Sequence, residues 1–65
     1  MCITLNGKEQ DFPQGASIAD IIEILKLEGR LAVEVNLSII PRSAYHSYRL
    51  KQGDQVEIVR AVGGG

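Results

Sequence analysis

The chain has 65 residues, of which 45% are apolar, and a formal net charge of −1, so it can form one small domain with a single core. Its seven basic residues are scattered, which argues against nucleic acid as a partner because that role needs a cationic surface. A single cysteine excludes an internal disulfide, and no apolar run approaches the ~20 residues that cross a bilayer. With no secretory leader at the start, we expect a cytoplasmic protein that does not contact membranes.

The first predicted element is a β-hairpin. Ile3 and Leu5 alternate with less apolar neighbours, as in a strand with one buried face. Asn6-Gly7 follows, and this pair strongly favours a tight turn because both residues tolerate positive φ. The second strand ends at Phe12, which should anchor the core, and Pro13-Gln14-Gly15 prevents the strand from continuing.

An amphipathic helix is predicted next. Ser17 can cap its amino end, and Asp20 stands where a capping box has its acidic or amide residue. Four residues at helical spacing form one apolar face, namely Ile18, Ile21, Ile22 and Leu25. Gly29 is expected to end the helix, because glycine readily takes the left-handed conformation common there.

Alternating apolar residues predict the remaining strands. One strand covers residues 31–35, and a shorter one at Ile39-Ile40 is stopped by Pro41. Residues 43–48 show no clean period and should form a loop or one helical turn, with Leu50 as a core residue beneath it.

The last strand follows a turn at residues 52–54. Val56 and Ile58 should point towards the core, whereas Val59 and Ala61 should point the other way. One helix covers only one face of a sheet, so apolar residues on the second face suggest a docking surface. We predict that this surface consists of Val59, Ala61 and Val62.

The order of elements predicts an α+β fold of the β-grasp type, with a mixed sheet of four to five strands packed on one helix. Residues 1–62 should form this domain, and residues 63–65 a flexible glycine tail. Gly63, Gly64 and Gly65 cannot contribute side chains to a core, and each is costly to order. A frayed end would explain them, but a tail one backbone wide also suits entry into a narrow slot that exposes the terminal carboxylate.

Catalytic and metal-binding motifs are absent from the sequence. There is no phosphate-binding GxxxxGK[ST] loop, no CxxC and no GxSxG, so we do not expect an enzyme. His46 is the only histidine and is interpreted as a surface residue, and no metal site is expected. Cys2 is interpreted as a small apolar residue of the first strand, although a functional thiol stays open.

The chain resembles the ThiS family of ubiquitin-like sulfur carriers over its whole length. The resemblance rests on an ordered series of segments: residues 3–7, 13–15, 32–36, 40–43 and 50–59, and the closing Gly63-Gly64-Gly65. Three residues depart from the usual family pattern, namely Cys2, Leu37 and Tyr45. Leu37 follows Asn36 where a small or polar turn residue is usual, and Tyr45 stands where tryptophan is common.

The resemblance implies a sulfur carrier for the thiazole ring of thiamin, itself not an enzyme and binding no cofactor. A ThiF-type enzyme would use ATP to adenylate the Gly65 carboxylate, and sulfur from a donor such as a cysteine desulfurase would replace AMP. Gly63 and Gly64 would thread into the partner active sites. The Gly65 thiocarboxylate would then deliver sulfur to a ThiG-type thiazole synthase, with the free carrier a monomer.

Three other functions stay open at this point. A molybdopterin-type sulfur carrier shares the fold and the glycine end, although the short chain and the Asn-Gly turn favour the thiamin version. A ubiquitin-like modifier would join the same activated tail to lysines. A small interaction domain would use no covalent chemistry at all.

Overall fold

A computed structural model of the protein describes residues 1–61. These residues form five strands, one α-helix and one turn of 3₁₀ helix, Arg42–Ala44. The strands are β1 (Cys2–Leu5), β2 (Lys8–Asp11), β3 (Leu31–Val35), β4 (Ser38–Ile40) and β5 (Gln55–Arg60), and the helix is α1 (Ile18–Ile24).

All five strands belong to one sheet, in the order β2-β1-β5-β3-β4. The central pair, β1 and β5, is parallel, whereas the β1–β2, β3–β4 and β3–β5 pairs are antiparallel. The predicted α+β fold of the β-grasp type is therefore confirmed, with five strands and one helix.

The first hairpin turns at Asn6 and Gly7, as predicted. Both residues have positive φ angles, 49° and 83°, as the tightest hairpin turn requires. Leu5 pairs with Lys8 across this turn. Phe12 is buried as expected, although β2 ends one residue before it.

The helix begins with the predicted capping box. The Ser17 hydroxyl accepts a hydrogen bond from the Asp20 backbone N–H, and the Asp20 carboxylate accepts one from the Ser17 N–H, both at 3.0 Å. Ile18 and Ile21 are buried, and the other two residues of the predicted apolar face, Ile22 and Leu25, pack against the core at partial burial.

The prediction that the helix ends at Gly29 is wrong. Lys26 takes the left-handed conformation instead, with φ of 55°, and donates its N–H to the Glu23 carbonyl at 3.0 Å. Leu27 then donates to the Ile22 carbonyl at 3.1 Å, which completes a Schellman motif. Leu27 packs against the core, so its burial favours stopping the helix here although lysine is not a typical residue for this turn.

The core lies between α1 and the inner face of the sheet. It comprises Ile3, Leu5, Phe12, Ala16, Ile18, Ile21, Val33, Val35, Ile40, Tyr45, Leu50, Val56 and Ile58. Leu50 is only 2% exposed, as predicted, and Tyr45, which directly follows the 3₁₀ turn, is also part of the core. The Tyr45 hydroxyl donates a hydrogen bond to the Leu31 carbonyl at 3.3 Å, which ties this loop to β3.

Candidate docking face and carboxyl-terminal strand

Strand β5 presents its side chains as the sequence predicts. Val56 and Ile58 are buried, whereas Val59 is 54% exposed and Ala61 partly exposed. The outward direction of Val59 is therefore confirmed, and its role in docking stays a prediction. Val62, Gly63, Gly64 and Gly65 lie outside the described residues, as does the prediction of a flexible tail.

Both sides of β5 are hydrogen-bonded close to its end. On one side, β3 pairs with β5 from Val35↔Val56 to Leu31↔Arg60, and the Ala61 N–H donates to the Arg30 carbonyl at 2.8 Å. On the other side, the side chain of Asn6 bonds both backbone groups of Ile58. Hydrogen bonds thus hold β5, the strand that leads to the tail, and the chain after it as far as Ala61.

The outer face of the sheet, opposite the helix, carries an unbalanced set of charges. The strand register assigns the following residues to this face: Cys2, Thr4, Glu9, Asp11, Ala32, Glu34, Ile39, Gln55, Glu57 and Val59. Four of these strand positions hold acidic residues and none holds a lysine or arginine. The outer face is therefore acidic although the whole chain is nearly neutral.

Two of these acids stand directly opposite each other. Glu34 on β3 pairs with Glu57 on β5 in the antiparallel register. Like charges in this position repel, so the pair lowers the stability of the sheet rather than raising it. Sequence reasoning missed the pair because it assigned residues to faces one strand at a time.

Exposed apolar residues border the acidic pair at the β3–β4 turn. Leu37 is 90% exposed and Ile39 is 79% exposed. Asn36 and Leu37 form the turn with φ angles of 50° and 73°, and a leucine is costly in this left-handed conformation. The sequence marks Leu37 only as an unusual turn residue, and its exposure depends on the fold.

The remaining candidate residues lie elsewhere. His46 is exposed, as predicted, and borders an open groove of about 630 Å³ between α1 and the 3₁₀ turn, on the helix side of the sheet. Cys2 is half-buried on β1, and its thiol is free. Residues 1–61 hold no cluster of side chains suited to a metal ion, and none of their helices is long and apolar enough to cross a membrane.

Comparison with known proteins identifies the family. The ThiS family matches residues 2–65, nearly the whole chain. The chain belongs to the ThiS family. The sulfur carrier protein ThiS of Bacillus subtilis (strain 168) is 37% identical over 65 residues, which cover 97% of this chain and 98% of that protein. A crystal structure of the thiamine biosynthesis protein (ThiS) from Geobacter metallireducens superposes with a TM-score of 0.87 at 29% identity and covers both chains completely.

Longer relatives of this ThiS family member contain a similar region. A thiazole synthase of Paramagnetospirillum magneticum is 36% identical over 66 residues, which cover 100% of this chain. The chain spans only 20% of the length of that thiazole synthase. A second thiazole synthase, from Magnetococcus marinus, shows the same relationship at 32% identity and 20% of its length.

Proposed function

We propose that this protein is the sulfur carrier of thiamin thiazole biosynthesis and carries sulfur as a thiocarboxylate on Gly65. The observation that carries the proposal is the match to the ThiS family over residues 2–65, which includes the three terminal glycines. The Bacillus subtilis relative of nearly equal length is a sulfur carrier protein, and the similar structure from Geobacter metallireducens is that of a thiamine biosynthesis protein. Together they favour this function over a molybdopterin-type carrier.

The chemistry needs only the terminal carboxylate from this chain. Terminal carboxylates are ionised at neutral pH, so the carboxylate of Gly65 can attack the α-phosphate of ATP held by an activating enzyme. Pyrophosphate leaves and an acyl-adenylate forms. A persulfide on the sulfur donor then attacks the acyl carbon and AMP leaves, which produces an acyl disulfide between Gly65 and the donor. A free thiol, such as that of cysteine, attacks the donor sulfur of this S–S bond, so that the thiocarboxylate leaves and a new disulfide remains on the donor.

The partners follow from this sequence of steps. We propose a ThiF-type enzyme for adenylation, a cysteine desulfurase as the sulfur donor, and a thiazole synthase as the acceptor of sulfur. The two thiazole synthases that contain a region similar to this chain support the last of these. We propose that the protein acts as a cytoplasmic monomer between encounters, and that ATP is bound by the partner alone.

The proposed docking role of β5 fits this scheme, in which partner enzymes carry out the chemistry on the tail. Val59 is exposed on a strand whose backbone is paired on the β3 side as far as Ala61. A partner that binds Val59 and Ala61 would therefore hold a strand end that is fixed by backbone hydrogen bonds. We propose Val62 as a further contact of the same partner. We propose that Gly63 and Gly64 then pass through a channel too narrow for side chains.

Intact mass spectrometry tests the proposal. The protein is incubated with ATP, a ThiF-type enzyme, a cysteine desulfurase and cysteine, and we expect one oxygen to be replaced by sulfur. A variant with one extra residue after Gly65 should stay unmodified with an unchanged melting temperature. Thiolation of the extended variant at the normal rate would refute the role of Gly65, and an isopeptide adduct would indicate a protein modifier instead.

Cys2 provides a second test, because a persulfide on its thiol is the competing way to carry sulfur. Cys2→Ser should be thiolated at the wild-type rate, since the proposed thiocarboxylate forms at the other end of the chain. A large loss of sulfur transfer in a folded Cys2→Ser protein would favour the persulfide.

A further inference from the structure

The acidic pair on the outer face lines a cavity. Glu34 and Glu57 form part of its wall, together with Thr4, Gly7 and the exposed Leu37, and its volume is about 240 Å³. The cavity therefore combines two glutamates at paired strand positions with the exposed apolar side chain of Leu37.

A basic side chain is the complement of such a cavity. The two carboxylates repel each other in the free protein, and a cation placed between them would replace this repulsion with two attractions. The methylene groups of a long basic side chain can lie against Leu37 while the charged end reaches the carboxylates. Arginine suits this geometry better than lysine, because its planar guanidinium can bond two carboxylates at once.

The cavity lies beside the path to the tail. Glu57 precedes Val59 by two positions on the same strand, so both side chains are on the outer face. An enzyme surface that contacts Val59 while it receives the tail therefore passes close to the cavity. This continuity points to an enzyme that uses the tail rather than to a second copy of the chain.

We infer that the cavity between Glu34 and Glu57 receives an arginine side chain of the thiazole synthase. The inference rests on the proposed function and adds to it the chemistry by which the synthase recognises the carrier. The synthase is the chosen occupant because two thiazole synthases contain a region similar to this whole chain, which indicates that carrier and synthase work in contact.

Binding to a purified thiazole synthase, measured by isothermal titration calorimetry at low and high salt, tests the inference. The Glu34→Gln/Glu57→Gln double variant removes both charges and should bind about tenfold or more weakly at low salt, with a smaller salt dependence. The matched control is Glu23→Gln/Glu28→Gln, which removes two charges from exposed glutamates outside the sheet and should bind within about twofold of wild type.

Thermal melting separates recognition from folding. Removing a repelling pair should leave the melting temperature of Glu34→Gln/Glu57→Gln equal to or above that of wild type, so weaker binding cannot result from unfolding. The inference would be overturned if the control variant lost as much affinity for the synthase as the double variant. It would also be overturned if the double variant lost affinity for the activating enzyme alone.

The outcomes also separate this inference from the proposed function. If wild type is thiolated and binds the synthase, but the double variant binds equally well, the cavity has no such role and the carrier function stands. If wild type is neither thiolated nor bound, the proposed function fails and the inference fails with it.

Discussion

The side-chain amide of Asn6 forms hydrogen bonds with both backbone groups of Ile58. Its Oδ1 accepts from the Ile58 N–H at 2.9 Å, and its Nδ2 donates to the Ile58 carbonyl at 3.0 Å. The Asn6 backbone N–H also donates to the Val56 carbonyl at 2.9 Å. The parallel pairing of β1 with β5 is thereby continued by a side chain after the β1 backbone has turned away.

We expect Asn6→Gly to lower the free energy of unfolding by about 1–3 kcal/mol, because two partly buried backbone groups of Ile58 lose their partner. Glycine accepts the positive φ of Asn6, so the change removes the hydrogen bonds without straining the turn. Urea denaturation measures the difference.

Asn36→Gly is the matched control. Asn36 has a similar φ of 50°, and its side chain also makes two hydrogen bonds: Oδ1 accepts from the Gln55 N–H at 3.0 Å, and Nδ2 donates to the Asp54 carboxylate at 3.1 Å. Both bonds are exposed to water, so their loss should together cost under about 1.5 kcal/mol. If Asn36→Gly lowered the free energy of unfolding as much as Asn6→Gly, this would contradict the importance of the Asn6–Ile58 pair.

Leu37→Gly should make the protein more stable. Leu37 is 90% exposed, so it gains little from packing, and its φ of 73° suits glycine. Relief of this left-handed strain is worth about 1 kcal/mol, which corresponds to roughly 4–8 °C in melting temperature for a domain this small. Leu37→Ala keeps the β-carbon and should melt near wild type. Equal stabilisation by alanine would show that strain is not the cause.

Val59→Asp should separate docking from folding. An aspartate on the exposed face should cost less than about 1 kcal/mol of stability, whereas it should weaken binding to the activating enzyme by ~2 kcal/mol or more. Ile58→Asp, one position earlier, would bury an unpaired carboxylate and should unfold the domain. Circular dichroism and a binding titration measure the two effects. Unfolding of Val59→Asp would contradict the assignment of Val59 to a docking face.

The capping box should make stability depend on pH at the acid end. Two hydrogen bonds with Ser17 lower the pKa of Asp20 below its ordinary value of 3.8. The bond from the Ser17 backbone N–H has the larger effect, and the bond with the Ser17 side chain has the smaller one. Because the folded pKa is the lower one, this contribution is present above pH 3.8 and disappears as the pH falls through the folded pKa.

Asp20→Asn tests this dependence. Wild type should be more stable than Asp20→Asn near neutral pH, and the difference should shrink between about pH 5 and about pH 2. Melting temperatures across this range measure it. A difference that stays constant with pH would show that the charge of Asp20 does not contribute.

Local sequence signals predicted most of the fold because each depends on a few neighbouring residues. Asn6-Gly7 specifies a tight turn, Ser17 and Asp20 specify a helix start, and alternation identifies the buried face of each strand. The helix end predicted at Gly29 is wrong. The stop at Lys26 instead lets Leu27 pack against the core at partial burial, which is a tertiary contact that local propensity does not contain.

The candidate docking face was likewise predictable only in part from the sequence. The sequence by itself determined the family, through its ordered segments and glycine end, and the outward direction of Val59, through the two-residue period of a strand. Only the tertiary structure decided that Glu34 faces Glu57, that Leu37 borders the same cavity and that Asn6 reaches Ile58. These contacts join residues far apart in the chain, and they depend on which strands are neighbours and in what register, which the periodicity of a single strand does not encode.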